Sequence, residues 1–226
     1  SQELERDGDE ALADGQVETA WRAYMRASEC ARQADRPEWA LRLAQVSQTL
    51  VMESSVPWVV TKVHTSACIS TLGDTQKAID ELRGVKEMSL PESIQALVAD
   101  TLFGFSILSG SLSDAETNLN WLRGLSETSG ELSALFRQSE WYFHTGQRDS
   151  CLDVLAELQT LLAGSPNAGT GLGAVTMMRG ELATITGNWA LAEASFVEAM
   201  DLYAKEKRLG LVLMGWSRLA WVYCET

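Results

Sequence analysis

The chain has 226 residues, 46% of them hydrophobic, enough apolar surface for one elongated array or one or two compact domains. Its 31 acidic and 18 basic side chains leave a formal charge of −13, which disfavours nucleic-acid backbones and anionic membrane surfaces and makes a basic partner the natural complement. No run approaches the ~20 apolar residues that span a bilayer, no charged-then-apolar leader opens the chain, and Cys30, Cys68, Cys151 and Cys224 lie too far apart for a paired zinc or disulfide spacing. The expectation is a cytoplasmic protein of a reducing compartment with no metal and no cofactor.

Taken in chain order, the sequence reads as helices separated by turns, without the strand alternation and hairpin signals of a sheet. A first helix ends at Gly15 and a second follows; an additional helix is expected over residues 38–53 and another over 57–72, closed by Gly73-Asp74. Pro91 fits the first turn of the next helix, which Gly110-Ser111 ends. Gly146-Gln147 and Gly187-Asn188 end two more. Each glycine tolerates the left-handed conformation of a helix C-terminus, and the polar residue after it can start the next helix. Between the last two turns, Ser165-Pro166-Asn167 with Gly169, Gly171 and Gly173 reads as a flexible connector over 164–173.

The last four turn glycines lie 37, 36 and 41 residues apart, a spacing of two-helix repeats. After each comes a helix with a small residue followed by larger apolar ones: Ala78, Leu82, Val85; Ala115, Leu119, Leu122; Cys151, Leu155, Leu158; Ala192, Phe196, Ala199. The small residue lets paired helices approach and the larger one fills the gap to the neighbouring unit. Near the start, Gly8, Gly15, Ala20, Tyr24 and Ala27 share their spacing with Gly180, Gly187, Ala192, Phe196 and Ala199, a coincidence with probability on the order of 10⁻⁶ per window.

This glycine, glycine, alanine, aromatic, alanine spacing resembles the tetratricopeptide repeat (TPR). The resemblance covers most of the chain, although Leu82, Leu119 and Leu155 replace the aromatic in the middle three units. It implies an all-α, right-handed α-solenoid of stacked antiparallel helix pairs, about five units plus a partial sixth begun by Leu219-Ala220-Trp221-Val222-Tyr223. The closing glycine of that sixth unit would lie beyond Thr226, as expected of a piece of a longer array. The single repeat domain 1–226 would divide into 1–54, the first unit plus the extra helix; 55–163, units two to four; the connector 164–173; and 174–226. The 58 residues from Gly15 to Gly73 break the period. Either the extra helix is an insertion, the favoured reading, or the first match is out of phase with the rest.

Catalytic constellations are sparse. His64 and His144 are the only histidines and belong to no metal-binding pair, the run 169–173 lacks the strand and Gly-Lys-Ser/Thr ending of a phosphate loop, and no nucleophile stands beside a base. The expectation is no enzyme. Most of the eight tryptophans are expected in the core, but Trp141, Tyr142 and Phe143 cover about 300° of a helix, so at least one should face a groove or a neighbour.

In the family that the chain resembles, the first helix of each unit lines the concave face. Carried over residue by residue, that phase points to Asp100 and Gly104, then Phe136, Glu140 and Phe143, then Met177 and Glu181, and finally Met214, Ser217 and Trp221. Such a groove would be apolar and acidic and would suit a basic or amphipathic protein segment, with Phe136, Phe143 and Met177 on its apolar side and Glu140 and Glu181 meeting its cations. The lysine and asparagine residues of a carboxylate clamp are absent from these places. The implied function is a protein-protein interaction scaffold; the alternative is a sensing module of a larger signal-transduction ATPase or transcription regulator.

Overall fold

The computed structural model describes residues 2–125, 131–163 and 168–225, and among them every regular element is an α-helix. In chain order these are α1 (Gln2–Ala13), α2 (Val17–Gln33), α3 (Pro37–Thr49), α4 (Val56–Thr71), α5 (Thr75–Lys86), α6 (Glu92–Leu108), α7 (Leu112–Gly124), α8 (Glu131–His144), α9 (Arg148–Leu162), α10 (Gly169–Ile185), α11 (Trp189–Lys205) and α12 (Leu209–Glu225). Local chemistry sets several starts. The Ser55 hydroxyl, Asp74 carboxylate and Asn188 amide oxygen accept from the backbone N–H three residues on, at 3.2, 3.1 and 3.3 Å, satisfying N–H groups that a helix leaves unpaired.

The expected turn glycines all adopt the left-handed backbone, with φ of 74° at Gly15, 92° at Gly73, 76° at Gly110, 72° at Gly146 and 69° at Gly187. At each, the next residue's N–H reaches back to a carbonyl in the last helical turn, as from Gln16 to Ala11 at 2.8 Å and from Asn188 to Ala183 at 2.9 Å, the pattern that closes a helix with a left-handed residue. Two further turns have the same hydrogen bonds without glycine. Arg36 N–H reaches Ala31 O at 3.0 Å across Asp35 (φ 55°), and Arg208 N–H reaches Tyr203 O at 2.9 Å across Lys207 (φ 56°).

Asp35 explains the irregular interval. It lies 38 residues before Gly73, so the turn between α2 and α3, not the one at Gly15, continues the period. The side chains agree. Trp21 of α2 donates to Thr61 of α4 at 2.8 Å, and Ser28 lies 2.7 Å from His64, while Trp39 of α3 donates to Glu5 of α1 at 3.0 Å. Thus α1 and α3 share one layer, α2 and α4 the other, and the alternation passes through residues 37–49 unbroken. The extra helix is therefore the partner of α2 rather than an insertion. The five-residue signature at α1 and α2 is genuine in packing, since Gly8 lies against the Tyr24 ring, but stands half a unit out of phase.

The helices form two compact units, dividing within α8 between Ala134 and Leu135. In the first, Val59, Val63, Ile79, Leu82, Val98 and Phe105 form the main core, with a second around Ala20, Tyr24, Ala27 and Leu43. In the second, Val154, Leu155, Leu158 and Val175 form one cluster, and Phe196, Ala199 and Tyr203 another. All twelve second-helix stripe residues named from the sequence are buried.

Two expectations are corrected. Residues 164–167 lie outside the described residues, but Gly169, Gly171 and Gly173 open α10 instead of forming a connector. They serve close approach: a Cβ on Gly173 would lie 2.5 Å from the Tyr203 ring, and one on Gly171 would lie 3.0 Å from Leu162. The tryptophans are also not core. Six are half-buried, and Trp216 and Trp221 are exposed. Helices that approach through alanine and glycine leave no volume for an indole, so the rings sit at the rim, with Trp21 and Trp39 donating hydrogen bonds and Trp58 and Trp121 lying under Lys62 and Lys86.

Candidate partner-binding surface

Within the second unit, α8, α10, α11 and α12 bring Phe143, Glu181, Thr184, Ile185, Phe196, Arg218 and Trp221 around a recess of about 230 Å³. Phe196 forms its buried floor and Ile185, at 67% exposure, its open edge. The Thr184 hydroxyl donates to Gly180 O at 2.8 Å within α10, and Arg218 pairs with Glu181 at 3.0 Å. Three of the residues picked out in the sequence, Phe143, Glu181 and Trp221, therefore meet at one place.

The others do not join them. Asp100 is half-buried on α6 in the first unit. Phe136 packs beneath α8 against the Leu155 cluster, as Phe143 does on its inner side. Met177 is buried at 5% exposure, its methyl group towards Gly215, so it is core rather than groove. Met214 is on the exposed side of α12. The acids are not bare: Glu140 accepts from Arg137 at 2.7 Å and Glu181 has Arg218, so both carboxylates already have cations of their own chain. The sequence placed Arg137 and Arg218 within reach, three residues from Glu140 and on the next first helix, but their direction required the fold.

A larger recess, about 550 Å³, was not anticipated. It lies in the first unit, where Trp58, Lys62, Lys77, Asp80, Glu81 and Met88 line the space between α4 and α5. Lys62 both pairs with Glu81 and lies 5.4 Å from the Trp58 ring centroid, so the charges there are largely satisfied internally.

One buried polar cluster has the composition of a hydrolase triad. Ser28 Oγ is 2.7 Å from His64 Nε2, and His64 Nδ1 is 3.8 Å from a Glu29 carboxylate oxygen. Its hydrogen bonds run the wrong way for a nucleophile. The Ser28 hydroxyl donates to Ala40 O at 2.6 Å and so accepts from Nε2–H, leaving no basic nitrogen beside it. Ser28 is wholly buried. Burial holds the His64 imidazolium below its ordinary range, with Arg32 adding to the effect and Glu29 opposing it. For Glu29, burial acts upward, but hydrogen bonds from Arg32 and Gln33 lower its value overall. The cluster joins α2, α3 and α4.

No family model and no curated protein matches this chain. Solved structures do. A thermophilic TPR protein of Thermus thermophilus is similar with TM-score 0.61 at 16% identity over 89% of this chain and 100% of that one. The apo form of RapI gives TM-score 0.61 at 12% identity over 97% and 96%. A tetratricopeptide repeat protein of Parabacteroides merdae gives TM-score 0.54 at 13% identity over 95% and 98%. At such identities the likeness defines the fold: this is an all-α, TPR-like repeat protein of the α-solenoid class. No helix among the described residues is long and apolar enough to cross a membrane.

Proposed function

We propose that the chain is a non-catalytic interaction scaffold that binds a basic or amphipathic segment of another protein across α8, α10 and α12. The observation that supports this most is the open recess of Phe143, Ile185 and Trp221 with the Glu181–Arg218 pair at its wall. An apolar side chain fills the recess and its neighbours exchange with the ion pair. That exchange costs little, because a half-exposed surface pair contributes only about 0–1 kcal/mol, and a carboxylate can accept from two cations at once. The net charge of −13 favours approach of a cationic segment.

The test is photo-crosslinking in cell extract from a probe residue replacing Ile185. Crosslinked peptides should carry an apolar residue flanked by Lys or Arg, and Phe143→Ala with Trp221→Ala should reduce their yield at least roughly tenfold. Acidic crosslinked segments, or an undiminished yield from the double variant, would overturn the assignment.

A further inference from the structure

Counted from the turns at Asp35, Gly73 and Gly110, which stand 38 and 37 residues apart, α3, α5 and α7 are equivalent helices. Their buried small residues coincide: Ala40, Ala78 and Ala115. The spaces between them do not. Over α6, between α5 and α7, is a recess of about 110 Å³. Over α4, between α3 and α5, are two, of about 550 and 560 Å³, that share Glu53, Trp58 and Lys62 in their walls and so adjoin as one slot. Helices of the same compact unit bound this slot on both sides.

Two exchanges of side chain account for the difference. On α7, Trp121 packs against the core, and Lys86 of α5 lies 5.1 Å from its ring centroid, so a ring from one helix under a cation from the other occupies the α5–α7 space. The equivalent of Trp121 on α5 is Gly84, and the equivalent of Lys86 on α3 is Gln48. The α3–α5 space therefore lacks both ring and cation. Gly84 is exposed, nothing stands within 4 Å of where its Cβ would lie, and Trp58 and Met88 line the same recess. Exposed Glu53 has no ion pair or hydrogen bond among the described residues, whereas Lys62 is already paired with Glu81. Lys77 lies two helical turns, about 10 Å, from Gly84 along α5. The Glu53 end of the slot is thus apolar and acidic, in a chain of formal charge −13, and it complements a ring that arrives with a cation.

We propose that the slot binds a protein segment carrying an aromatic residue beside Lys or Arg, the ring entering over Gly84 against Trp58 and Met88 and the cation facing Glu53. The site lies in the first unit and shares no residue with the surface of α8, α10 and α12. The probe is the end-blocked tripeptide Lys-Trp-Lys, titrated into the isotope-labelled 226-residue chain and read by NMR. The Trp58 indole N–H and Gly84 amide signals should shift and saturate at millimolar probe. End-blocked Lys-Ala-Lys and Glu-Trp-Glu should each bind at least roughly tenfold more weakly. Gly84→Trp repeats the arrangement at Trp121 and should weaken Lys-Trp-Lys binding roughly tenfold or more at unchanged helical content. Glu53→Lys, in the loop before α4, should abolish the preference over Glu-Trp-Glu and provides a second variant if Gly84→Trp unfolds. Equal binding of Lys-Ala-Lys or of Glu-Trp-Glu to the parent chain would overturn the proposal, as would undiminished binding in a folded variant. Equal binding of N-acetyltryptophanamide would overturn it as well and leave the slot to a free aromatic molecule.

Discussion

The two compact units close their helices by different means. In the first, helices of one layer are joined by directional polar contacts: Trp21 to Thr61, Ser28 to His64, and Glu5 to Trp39 and Arg42. In the second, the close approaches are steric. Gly173 and Gly180 admit Tyr203 and Phe196, and Gly215 lies against Met200. The same small-residue signature therefore permits two kinds of interior, one sensitive to proton binding and the other to added volume.

The sharpest probe is one methyl group in each unit. A Cβ on Gly180 would lie 2.5 Å from Phe196, whereas one on Gly8 would lie 3.1 Å from Tyr24. Overpacking costs about 1–3 kcal/mol, and alanine recovers up to about 1 kcal/mol of helix propensity. Gly180→Ala is expected to lose about 1–2 kcal/mol in denaturant titration, with Phe196→Leu restoring part of it. Gly8→Ala should stay within about 1 kcal/mol of the parent. Equal losses would erase the distinction between the units.

This contrast was partly legible in the sequence. The turn glycines, the buried stripes and the all-helical class followed from spacing, because a left-handed turn and a helical period are local requirements. The phase did not, since Asp35 and Lys207 occupy left-handed turns with residues that carry no such signal. The surface was half legible. Phe143, Glu181 and Trp221 line one recess, but Met177 turned inward onto Gly215, and the acids acquired arginine partners, Glu140 from one turn away on α8 and Glu181 from α12. Ion pairing and side-chain direction depend on neighbouring helices, which a one-dimensional period does not contain. The same dependence hid the Ser28–His64 contact, whose residues are 36 apart.

That contact should give the first unit an acid sensitivity centred on His64. Facing its ring are Ser28, Glu29 and Arg32 from α2 and Cys68 from its own helix. Burial lowers its folded value below the ordinary 6.5, so the unfolded chain takes up the proton first. Its contribution to stability is present above pH 6.5 and lost as pH falls through the depressed folded value. Replacing His64 with Gln should flatten this limb of a pH–stability curve; an unchanged slope below pH 6.5 would remove His64 as its source. Glu29 acts in the same direction at lower pH, because its folded value also lies below its ordinary one. In the second unit, the shifted group at a glycine contact is Tyr203, which lies over Gly173. Burial, aided by the charge of Glu181, raises Tyr203 to about 12. Its contribution is therefore present below pH 10 and lost as pH rises through about 12.

The smallest expected effect should be the same in both units. Asp35 and Lys207 hold left-handed turns at φ 55° and 56°, a conformation that costs a residue with a Cβ about 1–2 kcal/mol. Glycine removes that cost but brings a more flexible unfolded chain, an opposing penalty of roughly 0.5–1 kcal/mol. Asp35→Gly and Lys207→Gly are each expected to stabilise by about 0.5 kcal/mol, read as a shift in denaturation midpoint without a change in slope. Among the described residues, neither side chain has an ion pair within its own turn that would offset the gain: Asp35 is exposed after α2, and Lys207 is exposed between α11 and α12. A gain in one unit alone would show that the polar or steric closure of the adjoining helices, rather than the turn conformation, determines what a left-handed residue costs here.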